Sequence, residues 1–165
     1  MPLMKTIDRL YSWFLKVANL FQPVLLLAVR LYWGWQFWQT GMGKLSNIPK
    51  VVEYFTSLGV PAPELNAYFI ALLEAVGGVL LILGLGSRLI ALPLTIDMVM
   101  AYVFGDREAL AAIFSEPDKF YTATPYTFLF ASMLILFFGP GRFSLDTLIV
   151  WYRSRRRASS AAAGS

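Results

Sequence analysis

The sequence predicts an all-α, polytopic membrane protein: a four-transmembrane-helix bundle with an N-terminal amphipathic interfacial helix. Three observations predict this fold. Hydrophobic residues fill 58% of the 165 positions and charged residues only 15%, with a mean hydropathy of +0.60, far from the balance of a soluble domain. Apolar runs of roughly 16 to 20 residues recur at 24–40, 67–85, 89–104 and 124–139, each near the length at which a helix crosses a ~30 Å hydrocarbon core. The runs are continuously apolar, whereas the strands of a transmembrane barrel alternate.

Residues 1–22 form the first unit. Leu3, Ile7, Leu10, Phe14, Val17 and Phe21 recur at helical spacing, with Lys5, Asp8, Arg9 and Lys16 mostly off that stripe, the pattern of a helix lying on a membrane surface. Its charges interrupt what would be the core of a secretory signal, so the N-terminus is expected to be retained. Pro23 is placed to open the first span, beginning a membrane domain over 23–146. Between the first two spans, SNIPKVVEYFTSLGVPAPELNA reads as a short interfacial or re-entrant helix followed by a proline-stiffened turn. GLGSR is so short that the second and third spans must form an antiparallel hairpin. A longer loop, GDREALAAIFSEPDKFYTA, leads to the fourth span. Residues 147–165 are a basic tail whose arginines suit anionic headgroups and whose small-residue end is expected to be partly disordered.

Basic residues set the expected orientation. Lys5, Arg9, Lys16, Arg88, Arg142, Arg153, Arg155, Arg156 and Arg157 fall on one side of a four-span arrangement, and Lys44, Lys50, Arg107 and Lys119 on the other. The positive-inside rule then puts both termini in the cytoplasm. These cations flank spans instead of forming a soluble patch interleaved with aromatics, so nucleic-acid binding is not expected. The chain has no Cys and no His, which excludes thiol relays, haem held by those residues, thiolate-bound iron–sulfur clusters and the usual zinc sites.

The stretch RLYWGWQFWQTGMGK puts Arg30, Gly34, Phe37, Gly41 and Lys44 on one stripe of the first span, at spacings of four, three, four and three. Its glycines allow close helix approach. The second span carries Glu74 with Gly77, Gly78 and, later, Gly84; the third carries Asp97. Arg30, Glu74 and Asp97 each lie about 10 Å from a span end at 1.5 Å per residue, so all three can reach one central layer. A lone charge there costs roughly 2.5–3.5 kcal/mol on insertion scales, so mutual pairing is expected. The surplus negative charge disappears if Lys44 reaches inward or if one acid binds a proton. Arg30, Glu74 and Asp97 are the candidate proton and charge cluster, and Lys44, Phe37 and Arg88 the candidate ligand contacts. Such a cluster can serve a quinone or another polar-headed lipophile, hold helices in register in a scaffold or assembly factor, or couple a small proton-linked carrier.

Four motifs resemble the DoxX family of small bacterial four-helix membrane proteins, which includes the membrane subunit of thiosulfate:quinone oxidoreductase. They are R-x-x-x-G-x-x-F-x-x-x-G-x-x-K from Arg30 to Lys44 and G-V-P-x-P from Gly59 to Pro63. E-x-x-G-G-x-x-L-x-x-G follows from Glu74 to Gly84 with Arg88 after it, then F-G-P-G-R-x-S-L-D from Phe138 to Asp146. The resemblance spans about residues 26–146 and implies an inner-membrane protein linked to quinone-dependent redox chemistry through a separate partner protein. It lends weight to Arg30, Gly34, Gly41, Lys44, Glu74, Gly78 and Arg88. Gly77, Gly84 and Pro140 are expected to be structural, and Ser144 or Asp146 to cap a short helix after the Gly-Pro-Gly break. The expected function is the quinone-binding membrane subunit of a redox complex, with a non-enzymatic scaffold as the alternative. Arg30 and Lys44 would stabilise charge on a quinone oxygen, Glu74 or Asp97 would supply protons, and electrons would come from the partner. The sequence leaves the ligand, the partner and the oligomeric state open.

Overall fold

The structure is a computed structural model that describes the backbone of residues 2–163 and the side chains of residues 4–156. The expectations for Leu3 and Arg157 side chains and for residues 164–165 lie outside the described residues. Among the described residues eight helices follow one another: α1 (Pro2–Ser46), α2 (Ile48–Ser57), α3 (Pro63–Leu83), α4 (Ser87–Phe104), α5 (Arg107–Ala111), α6 (Pro117–Thr122), α7 (Pro125–Phe138) and α8 (Leu145–Ala163). Among the described residues there is no strand.

Helices α1, α3 and α4 are each long and apolar enough to cross a membrane; α7 is apolar but shorter, about 21 Å at 1.5 Å per residue. Helix α1 packs on α3, α3 on α4, α4 on α7, and α7 back on α1. The four close into a ring, and the chain is an all-α polytopic membrane protein. Phe37, Leu81, Ala91, Leu94, Met98 and Ile135 fill its centre, and Phe128 meets both Phe37 and Trp33 edge-on at 4.8 and 5.1 Å. Most exposed large side chains lie on the outer faces, as expected where lipid is the solvent.

Two local features differ from the sequence reading. Pro23 lies inside α1 instead of opening a new helix, so the amphipathic segment and the first span form one continuous rod. Proline removes one backbone donor but does not end a helix when its neighbours hold the rod, and Pro23 is buried at the start of the stripe Leu26, Arg30, Gly34, Phe37, Gly41. The tail is helical through Ala163, where a partly disordered end was expected. Alanine's high helix propensity, in ASSAAA, is the local reason.

Close approach defines the α1–α3 contact. A Cβ on Gly34 would lie 2.8 Å from the Gly78 carbonyl oxygen, one on Gly78 would lie 2.5 Å from that of Gly34, and one on Gly41 would run into the backbone of Ala71 and Ala75. Gly77 instead faces Leu94 and Ile90 of α4. The second span is thus thin on two faces, one for each neighbour in the ring.

The connections match the reading more closely. Helix α2 buries Ile48 and Phe55, and Ala62, at φ 43°, turns the chain into Pro63. In the last loop Tyr102 stacks on Phe120 at 4.6 Å and donates to the Phe120 carbonyl at 2.6 Å. Lys119 pairs with Glu116 at 2.9 Å on the surface. That carboxylate raises the Lys119 ammonium above its ordinary value, and a hydrogen bond to Asp118 raises the Tyr121 phenol.

Candidate functional site

The charges inside the bundle divide into two clusters on different layers. At the level of Glu74, Lys44 Nζ makes an ion pair with Glu74 Oε2. Glu74 is 3% exposed. Across the α3–α4 contact the Asp97 carboxyl faces Glu74 and lies within the field of Lys44. Asp97 is buried, and its Oδ2 has no hydrogen-bond partner. Lys44 keeps 28% of its side chain exposed, because it sits in the last turn of α1. Its stem follows the bundle inward while its root stays near the α1–α2 end.

Arg30 is not part of this cluster, which corrects the expectation that it pairs with Glu74 and Asp97. It is 1% exposed, and four of its five N–H donors meet backbone carbonyls. Nε donates to Leu81 O at 2.9 Å, Nη2 to Ile82 O at 3.1 Å, and Nη1 to Pro140 O at 2.5 Å and Phe143 O at 2.9 Å. Leu81 and Ile82 lie in the last turn of α3, where the helix dipole is negative and carbonyls run short of helical donors; Leu81 O also accepts from Gly84 N at 3.1 Å. The guanidinium thus caps α3 and ties it to the loop before α8. Gly84, at φ 69°, makes room for it: a Cβ there would lie 2.6 Å from Arg30 Nη2 and 2.7 Å from Ser144.

The loop after α7 completes this layer. Asp146 Oδ1 accepts from Gly86 N at 2.8 Å and Oδ2 from Ser87 N at 3.0 Å, so Asp146 caps α4 from across the bundle instead of capping its own helix. Its backbone N–H also reaches Gly84 O at 3.0 Å. Ser144 takes the role expected of it, accepting from Thr147 N at 3.2 Å at the start of α8. Asp146 is the carboxylate whose field Arg30 feels. Arg88 lies at this same end, its Nη2 donating to Phe137 O at 3.2 Å, away from the acids. Phe37 is fully buried in the core and presents no surface to a ligand in this state.

The sequence reading missed the trans cap by Asp146 and the hydrogen bond from Thr95 to Ser132 at 3.0 Å, which joins α4 to α7. A Gly-Ser helix start without its own side-chain cap hints that a cap arrives from elsewhere; nothing local names the donor segment. Among the described residues no group of three or more His, Cys, Asp or Glu could hold a metal ion.

A ring of four helices closed on glycines, with one arginine tying its carbonyl ends and a separate lysine–carboxyl cluster at mid-depth, defines a small multi-pass membrane protein. The DoxX family profile matches residues 25–107, and the chain belongs to that family. "Uncharacterized membrane protein Rv3486" of Mycobacterium tuberculosis is 33% identical over 131 residues, 75% of this chain and 80% of that protein. "Putative oxidoreductase CatD" of Bacillus subtilis is 30% identical over 77 residues, 47% of this chain and 56% of that protein. No solved structure matches the chain.

Proposed function

We propose that this protein is the membrane subunit of a redox complex, set in the bacterial inner membrane with both termini cytoplasmic, and that Lys44, Glu74 and Asp97 form its proton-handling site for a quinone or similar lipophile. The observation that carries the reading is the unsatisfied Asp97 Oδ2 beside a second acid and a single lysine. A cluster built only to hold helices together is expected to satisfy its buried polar atoms, as Arg30 does with its carbonyls. Two carboxyls and one ammonium leave one negative charge, and one proton restores neutrality. Such a trio can give that proton to a developing quinone oxyanion and take it back, with Lys44 stabilising the anion. The likeness to "Putative oxidoreductase CatD" points the same way. Electrons come from a partner protein, since no Cys or His is present to hold a redox centre.

The alternative, a scaffold without a ligand, draws on the full burial of Phe37 and on the Lys44–Glu74 pair, which balances one acid without any proton. The test is quinone bound to gently purified protein, with titration of a short-tailed naphthoquinone and a short-tailed benzoquinone. The wild type should bind one of them, and Asp97→Asn should keep its melting temperature while binding about tenfold more weakly, the equivalent of one charge-assisted hydrogen bond. A wild type with no bound quinone and no affinity for either probe leaves the scaffold.

A further inference from the structure

We propose that the groove between the start of α4 and the start of α8 is a headgroup site for an anionic phospholipid. The groove is open, with a volume of about 470 Å³, and is lined by Gly86, Arg88, Leu89, Asp146, Thr147 and Val150. Both Asp146 oxygens are taken up by backbone donors of α4. Arg88 is the cation among the lining residues.

Arg88 is held ready. One of its donors is fixed on Phe137 O, Gly139 packs against its guanidinium, and the side chain is otherwise exposed, so the remaining donors can take a phosphate in a forked geometry. The rest of the lining favours a lipid over a free anion. Leu89 and Val150 are 82% and 66% exposed, and below Leu89 the exposed Leu92 and Ile96 continue along one face of α4, with exposed Phe137 on α7. An acyl chain can follow that track into the bilayer while its phosphate stays at Arg88.

Charge supplies the choice of headgroup. Arg142, in the loop before α8, and Arg153, on α8, are exposed. Arg155 and Arg156 lie over the rings of Trp151 and Tyr152 at 4.1 and 5.1 Å. Each such cation near an anionic surface is worth about a fivefold gain in binding.

The experiment uses the full chain, purified in mild detergent and offered phosphatidylglycerol or phosphatidylcholine with the same acyl chains. Retained lipid is measured by native mass spectrometry. Wild-type protein should keep phosphatidylglycerol in preference to phosphatidylcholine. Arg88→Gln should weaken that retention about fivefold, and Val150→Glu should weaken it at least as much while leaving the Arg88–Phe137 bond untouched. Arg107→Gln, at the opposite end of the bundle, should retain the lipid like wild type. If Arg88→Gln fails to fold, Val150→Glu decides. Equal retention of both lipids, undiminished retention by Val150→Glu, or inorganic phosphate competing as well as the lipid would each overturn the proposal.

Discussion

Arg30 and Glu74 meet the same difficulty, a charge held out of water, in different ways. Arg30 directs its donors to carbonyls in the last turn of α3 and the loop before α8, whereas Glu74 takes a lysine and shares its surroundings with a second acid. The two clusters should therefore be energetically separate. Arg30→Gln takes a donor from four carbonyls, of which Leu81 O keeps Gly84 N, and should cost about 3 kcal/mol in detergent unfolding experiments. Combining it with Glu74→Gln should give no rescue, the two effects adding within about 0.5 kcal/mol. Lys44→Met with Glu74→Gln should instead show coupling on the order of 1–3 kcal/mol, because Lys44→Met alone leaves the buried Glu74 without its cation. Recovery of stability in the Arg30 and Glu74 double variant would contradict the geometry described above. The sequence made the stripe of Arg30 legible, since 3.6-residue spacing alone places it toward protein. It could not reveal the partners, because nothing in the side chains of Leu81, Ile82, Pro140 or Phe143 marks their carbonyls as acceptors for Arg30. The Lys44 option was legible for the opposite reason: counting charges left a surplus negative charge that Lys44 or a bound proton would remove.

At the scale of elements, small residues decide which helices touch and motifs decide how they are tied. Gly34 and Gly78 bring two backbones together where no side chain fits, while Gly43, on the same helix, has open space around it. Gly34→Leu should therefore lower the melting temperature sharply, with overpacking costing at least about 1–3 kcal/mol, and Gly43→Leu should leave it nearly unchanged. The comparison holds helix propensity constant, because both positions change from glycine to leucine inside α1. Similar losses for the two variants would remove the close contact as the cause. The glycine stripes were legible as thin faces, and so was the hairpin between α3 and α4. The continuous helix through Pro23 was not, because proline at a helix start and proline inside a helix leave the same trace in a sequence. Nor was the destination of the FGPGRFSLD segment: its local pattern fits a cap on α8, and Ser144 makes one, but Asp146 turns to α4 because Gly86 and Ser87 offer two free N–H groups there.

For the whole molecule the open question is which side each end faces, and it turns on α7. That helix has 14 residues, short of the ~20 that usually span a bilayer, so a three-span protein with its termini on opposite sides is the rival topology. Packing argues for the fourth crossing. Helix α7 runs beside α4 from the Tyr102–Phe120 stack, just before its start, through Thr95–Ser132 to Arg88 on Phe137 O, and so reaches both ends of a helix that does span. The shortfall in length can be met by local thinning of the bilayer or by aromatic residues at the ends, at a fraction of a kcal/mol per Å. With four crossings, the cations of residues 1–22, Arg88, Arg142 and the arginines of α8 share one side, the arrangement that the positive-inside rule assigns to the cytoplasm. Reporters fused at either terminus should then be active in the cytoplasm, and reporters inserted after Gly59 or Ser115 should be active only on the far side. Both insertion points lie in exposed or partly exposed turns outside the spans, so inactivity from misfolding is separable by expression level. A C-terminal reporter on the far side, with the N-terminal one in the cytoplasm, would take α7 out of the membrane and with it the four-helix ring around Glu74 and Asp97.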